Sequence, residues 1–244
     1  MKIGSASLAR WPFAASRLLV PAVLLGLWLF VTLINLDKAY HIDDTAHLEI
    51  ARWILGHPLR PMSGLINWYQ SPLPIHVLNQ PHLYFYLMAA WGAVWGFGEV
   101  SMHLLQSVFS LACIILAYRI GRRIRPSRAL LAAALLALNP AFVVGQNSMT
   151  DIPVLSLWLA FCLVLVTDGF RSEGKRYAWA ALLVGLACLI KYTSLVLIPV
   201  LLACLVWRRR FRELWTLAIP VLLLVAWSLF NLADYGGIHL LERS

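Results

Sequence analysis

Charge is scarce in this chain of 244 residues: Asp, Glu, Lys and Arg make up 13% of it, against about a quarter in an ordinary soluble domain. Hydrophobic residues reach 61%, and the mean hydropathy is +0.77. A water-soluble fold has no way to bury that much apolar surface, which excludes the soluble globular class. Cysteine is equally sparse. Cys113, Cys162, Cys188 and Cys204 lie singly inside apolar runs without CxxC spacing, so they argue neither for a disulfide framework nor for a thiolate metal site. The chain lacks a glycine-rich phosphate loop, a dinucleotide fingerprint and a zincin HExxH.

What is present is a series of apolar runs at about 18–36, 83–98, 100–120, 129–145, 152–167, 177–207 and 214–231. Several approach the roughly 20 residues that a helix needs to cross the hydrocarbon. The first run, preceded by Lys2, Arg10 and Arg17, exceeds a signal-peptide core and reads as a retained anchor. The run 177–207 is too long for one crossing and divides at Lys191-Tyr192-Thr193-Ser194. The net charge of +9 is not a nucleic-acid footprint, because the basic residues form short clusters between apolar runs.

Those clusters set the topology. If 83–98 does not cross and the N-terminus is cytoplasmic, the inner segments hold Lys2, Arg10 and Arg17; Arg119, Arg122, Arg123, Arg125 and Arg128; Arg171, Lys175 and Arg176; and Arg208, Arg209, Arg210 and Arg212. Only Lys38, Arg52, Arg60, Lys191 and Arg243 remain outside. A crossing at 83–98 would send most basic residues outward, against the positive-inside rule. The expectation is therefore an all-α, polytopic transmembrane helix bundle forming a single domain over 1–244, with about seven crossings. A first helix spans 18–36, a long outer segment at 37–100 carries juxtamembrane helices, and six further crossings lie within 101–231. The aromatic stretch Leu83–Phe97 belongs at the outer interface, the depth that Tyr and Trp favour.

Most carboxylates fall on the outer side, and two groups stand out. The first is His41-Ile42-Asp43-Asp44-Thr45-Ala46-His47, ahead of an amphipathic stretch at 46–55. Spacings of three and four bring Asp43, Asp44 and His47 onto neighbouring positions of a helix. Either Asp also suits a helix cap. The second is Asn147–Pro153, where Asp151 either caps a helix with Pro153 in its first turn or serves a site. His82 and Lys191 lie on the same side; Lys191 either holds a lipid phosphate or snorkels to the interface.

Taken in order, these pieces resemble the GT-C membrane glycosyltransferases, family 39 type, which include the protein O-mannosyltransferases and the lipid A aminoarabinose transferases. Asp43–Arg52 is similar to that family's acidic first-loop motif and juxtamembrane helix. Gln80-Pro81-His82-Leu83-Tyr84-Phe85-Tyr86 resembles its His/Lys-Pro-Pro-Leu-Tyr-Tyr element, with His82 at the second proline and Gln80 at the basic position. Ser148–Pro153 is similar to its second outer-loop Asp motif, and Ile190-Lys191-Tyr192-Thr193 to its lysine break. Family members are usually about twice as long, and this chain resembles their N-terminal half.

The resemblance implies sugar transfer from a polyprenyl-phosphate donor to a glycan, lipid or protein acceptor at the extracytoplasmic face of the plasma or inner membrane. Asp43 or Asp44 would act as general base in an inverting displacement, with Asp43 preferred because Asp44 sits nearer the cap. Charge on the departing phosphate would be met by Lys191, by a protonated His82, or by a divalent metal (Mg, Mn or Zn) held by Asp151 with a first-loop ligand such as His47. Two other readings compete: a non-enzymatic transporter part or assembly subunit, and metal binding by His41, Asp43, Asp44 and His47 for its own sake. The gathering of polar groups at one face, rather than mid-membrane, favours a surface site over a path through the bilayer.

Overall fold

A computed structural model describes residues 13–68, 71–77 and 80–242. Lys2 and Arg10, ahead of the first apolar run, and Arg243 lie outside the described residues.

The first helix, α1, spans Phe13–Asn35 and turns Leu18, Leu25, Leu29, Leu33 and Ile34 outward, as a helix facing lipid does. It stops at Asn35, whose amide donates to the carbonyls of Val31 and Val143. Beyond it, α2 (Ile42–Gly56) is followed by two three-residue strands, β1 (Leu65–Asn67) and β2 (Pro72–Pro74), paired antiparallel with Ile66 opposite Leu73. This hairpin departs from the all-α expectation. Its strands are too short to show alternation, and two prolines disguise β2, although proline is tolerated in a strand that has a free edge. Gly64 leads into it, passing so close under the Trp53 ring that an added Cβ would come within 2.5 Å.

Helix α3 (Leu83–Trp95) has 13 residues, or about 20 Å, well short of a 30 Å hydrocarbon layer. It buries Tyr84, Phe85 and Met88 against α2. Then follow α4 (Glu99–Ile124), α5 (Ala129–Ala137), α6 (Pro140–Val144), α7 (Asp151–Val166), α8 (Glu173–Cys188), α9 (Leu197–Trp207) and α10 (Ala218–Tyr235). Asn139 caps α6, accepting from Ala141 N, so the apolar run 129–145 is one rod broken at Asn139-Pro140. The run 177–207 breaks as expected: α8 ends at Cys188, and 3₁₀ turns at Tyr192–Val196 lead into α9.

Among the described residues, three segments are long and apolar enough to cross a membrane: Leu18–Asn35, Glu99–Ile124 and Phe211–Tyr235. The segments Pro126–Ala137, Asp151–Val166 and Tyr192–Trp207 are apolar but shorter. Their ends nevertheless meet at two levels. At one level, Leu83 N donates to the Leu189 carbonyl at the end of α8, Lys38 Nζ donates to Val144 O at the end of α6, and Tyr40 N donates to Glu99 at the start of α4. At the other, Arg176 and Arg208 donate to the Leu165 carbonyl and Arg176 also to Val164 O, satisfying carbonyls that the last turn of α7 leaves open. Arg176 and Arg208 thus close a helix end.

Candidate functional site

The helix ends at the first of these two levels assemble a polar site around the first turn of α2. Asp44 is fully buried, and its Oδ2 accepts from the His41 backbone N–H at 2.9 Å, the reach-back bond of a capping box. Its Oδ1 is buried without a partner. Asp43, one residue earlier, is only partly buried and lines a cavity of about 150 Å³ with His47, Gln80, Phe85, Trp68 and Met149. The two adjacent carboxylates therefore face different surroundings: one is bound into the helix start and one opens on the cavity.

His47 follows Asp43 by one helical turn, which brings both onto the cavity wall. Its Nδ1 lies 3.0 Å from the Ser148 carbonyl; because a carbonyl only accepts, Nδ1 carries the proton and Nε2 is left as the ring's acceptor. Burial lowers its pKa, against the opposing pull of the Ser148 carbonyl and the charges of Asp44, Asp43 and Asp151. The imidazole is accordingly neutral at neutral pH. A base oriented from behind through a carbonyl is a recurrent arrangement at catalytic sites.

His82 does not line the cavity. It is fully buried between Phe85 (centroids 5.1 Å, edge-on) and Trp227 (5.9 Å), with neither ring nitrogen partnered. Burial first, then the charges of His239 and His47, hold its pKa well below the ordinary value. It is a neutral ring rather than the phosphate-facing cation that the sequence offered. Phe85 belongs to the cavity wall, and Trp227 to an apolar groove of about 330 Å³ that it forms with Leu83, Leu189 and Phe230. His82 is thus the partition between cavity and groove.

Lys191 and Asp151, expected to serve a phosphate and a metal, are each other's partners: Nζ to Oδ1 is 2.6 Å. Asp151 opens α7 and Lys191 follows the end of α8, so the bond ties two helix ends together at the same level as Asp43. Asp151 is paired with Lys191 and not with His47, so the two residues expected to hold a divalent metal are not brought together as a ligand set. Among the described residues, no three of His, Cys, Asp and Glu converge on a point.

Some contributors escaped the sequence reading. Trp68 and Met149 complete the cavity wall, and neither carries a local signal. Gln80 sits where the resemblance puts a basic residue, and its buried Oε1 has no partner. Asp234, at the end of α10, accepts from Met62 N at 2.6 Å and from the Ser63 hydroxyl, pinning the loop before the hairpin. Tyr192 links the same region, accepting from Trp227 Nε1 at 3.1 Å and meeting His239 Nδ1 at 3.0 Å.

Residues 79–233 match the family model for dolichyl-phosphate-mannose-protein mannosyltransferase. That match contains Gln80, His82, Asp151 and Lys191, while Asp43, Asp44 and His47 precede it. Among curated proteins, the chain is 30% identical over 222 residues to the undecaprenyl phosphate-alpha-4-amino-4-deoxy-L-arabinose arabinosyl transferase of Pseudomonas paraeruginosa, covering 84% of this chain and 38% of that protein. It is 28% identical over 223 residues to the second such transferase of Pseudomonas fluorescens, covering 86% and 35%. Among solved structures, ArnT from Cupriavidus metallidurans bound to undecaprenyl phosphate superposes with a TM-score of 0.65 at 16% identity, over 91% of this chain and 42% of that one. The apo form gives 0.68 at 17% identity, over 91% and 43%. The chain thus spans about two-fifths of the length of these relatives and shares the fold of their membrane helical bundle. With a family model matched along more than half its length and the GT-C resemblance of its ordered motifs upheld, the chain belongs to the dolichyl-phosphate-mannose-protein mannosyltransferase family.

Proposed function

We propose that the protein is a glycosyltransferase that moves a sugar from a polyprenyl-phosphate carrier to an acceptor hydroxyl or amine, with Asp43 as general base. The observation that carries this reading is the shared cavity wall of Asp43 and His47, beside a groove fit for an apolar chain. The sugar end of the donor enters the cavity, and the first isoprene units lie along Trp227 and Phe230. A cavity of about 150 Å³ holds roughly five waters, enough for a reacting ring but not for a lipid tail. Family membership and the named donor of the curated relatives support the same substrate class.

In the displacement, the acceptor proton passes to the Asp43 carboxylate as the acceptor atom attacks the anomeric carbon. The bond from that carbon to the phosphate oxygen breaks, and the electron pair leaves with the lipid phosphate, inverting the centre. His47, held by Ser148, orients the acceptor through Nε2. Lys191 meets the developing phosphate charge by exchanging its bond to Asp151 for one to the leaving group. No step is assigned to a metal.

The site lies on the extracytoplasmic face of an inner membrane that the chain crosses seven times, through α1, α4, the α5–α6 rod, α7, α8, α9 with its leading 3₁₀ turn, and α10. The arginine clusters at the opposite level support that orientation.

The test is a transfer assay in membranes containing the chain and a radiolabelled polyprenyl-phosphate sugar, with a lipid acceptor fraction. Label moving to the acceptor supports the proposal. A folded chain that leaves every such donor intact overturns it for this chain in isolation and favours a subunit that needs a partner.

A further inference from the structure

The arginines at the end of α4 form a site that the transfer reaction does not use. Arg122 and Arg123 lie three and four residues after Arg119, so each neighbours it on the helix surface. Together with Tyr118 they line one side of a cavity of about 710 Å³, closed on the other side by Leu163, Val164 and Phe170 at the end of α7. Arg122 donates to the Tyr118 hydroxyl at 3.2 Å and lies 6.0 Å from its ring centre. Among the described residues, none of the three arginines has an ion pair; the ion pairs on this side join Glu173 to Arg176 and Arg210. Three like charges on one helix face repel one another unless an anion lies between them. Arg119 and Arg123 lie 20 and 24 residues along α4 from Glu99, so this cavity sits about 30–36 Å from the Glu99 end, where Asp43 and His47 lie.

A second and almost wholly apolar groove of about 430 Å³ lies on the opposite face of α4, against α5, walled by Ala117, Ile120, Leu136 and Leu159 and edged by Arg125 and Arg128; the arginine cavity has its own apolar wall in Leu163, Val164 and Phe170. A guanidinium cluster set against apolar helix flanks at the end of a membrane-spanning helix matches an amphiphile with an anionic head and hydrocarbon chains. We infer that the cavity lined by Arg119, Arg122 and Arg123 binds the headgroup phosphate of an anionic phospholipid from the leaflet opposite the candidate active site, with its acyl chains along the α4–α7 flanks. A free phosphate would satisfy the arginines but have no use for the apolar walls, which is why the occupant is assigned as a lipid. This inference stands apart from the glycosyl-transfer reading.

The experiment is native mass spectrometry of the full chain, released from mixed micelles of phosphatidylglycerol and phosphatidylcholine, reading the ratio of the two lipids retained. The wild-type protein is expected to retain phosphatidylglycerol preferentially, and Arg119→Gln/Arg123→Gln to lower that preference by about fivefold per arginine removed. Lys175→Gln/Arg212→Gln removes the same charge from the same side outside the cavity, and its preference is expected to match the wild type. If the first double variant does not fold, Arg122→Gln carries the test, with a loss of about fivefold expected. An unchanged preference in the cavity variants, an equal loss in the control pair, or displacement of the lipid by millimolar inorganic phosphate overturns the inference.

Discussion

Asp234 joins the last helix to the loop ahead of the hairpin, and the strength of that join follows from its geometry. One carboxylate oxygen accepts from the Met62 amide at 2.6 Å and the other from the Ser63 hydroxyl, while Met62 is fully buried and Asp234 nearly so. Hydrogen bonds to a charged acceptor contribute about 1.5–3 kcal/mol each, and a buried donor left without one costs a comparable amount. Asp234→Ala removes both acceptors at once, so local opening of residues 61–64 becomes easier by about 3 kcal/mol. In hydrogen–deuterium exchange, the Met62 amide should then exchange on the order of 100-fold faster, since each 1.4 kcal/mol is a factor of ten. Asp234→Asn retains one acceptor oxygen and Ser63→Ala removes one bond, so each should accelerate exchange about tenfold. The amides of α4 serve as the internal control. If Met62 exchanges at the wild-type rate in Asp234→Ala while the helices are unaffected, the clamp does not hold the loop and the reasoning fails.

Three further outcomes follow from the same contacts. His47 and His82 have pKa values lowered by burial, so below about pH 6.5 the unfolded chain takes up protons that the folded one refuses. Stability is complete above that pH and should fall as the pH drops, by up to about 1.4 kcal/mol per pH unit for each ring. His82→Phe removes two unpartnered nitrogens and fits between Phe85 and Trp227, so Tm at pH 8 should hold or rise and the acid slope lose one proton; an unchanged slope would count against the assignment. Arg176→Gln abandons the Val164 carbonyl and weakens the closure at Leu165, costing about 2–4 kcal/mol and lowering Tm by roughly 5–10 °C in a thermal melt. Gly64→Ala drives a methyl group into the Trp53 ring and should cost about 1–3 kcal/mol, whereas Gly56→Ala, with open space around it, should be nearly neutral in the same melt.

What the sequence carried openly was local or summed over many residues. Hydropathy placed α1, the break at Lys191 and the helix behind Asp43, because a single run of residues decides each. The shortness of 83–98 is likewise visible in the sequence, and α3 has 13 residues. Partner choice was hidden, because it joins residues far apart in the chain. Lys191 meets Asp151 across 40 positions, His47 meets Ser148 across 101, and Asp234 meets Met62 across 172. No periodicity encodes those separations, so Lys191 and Asp151 read as two free site residues when they form one ion pair. Asp44 is the intermediate case: its nearness to the cap was visible, but its full burial is a property of the tertiary fold, and only the folded chain separates its surroundings from those of Asp43.

The account turns on that separation, and the most direct measurement is the rate of sugar transfer by Asp43→Asn and Asp44→Asn, each with its thermal melt. Asp43 as base predicts that Asp43→Asn loses transfer by a factor on the order of 10²–10⁴ with Tm unchanged. Asp44→Asn, altering a helix cap, should lower Tm while keeping the larger share of transfer. Transfer at the wild-type rate in Asp43→Asn, or a stable Asp44→Asn with no transfer at all, would contradict the assignment of the base.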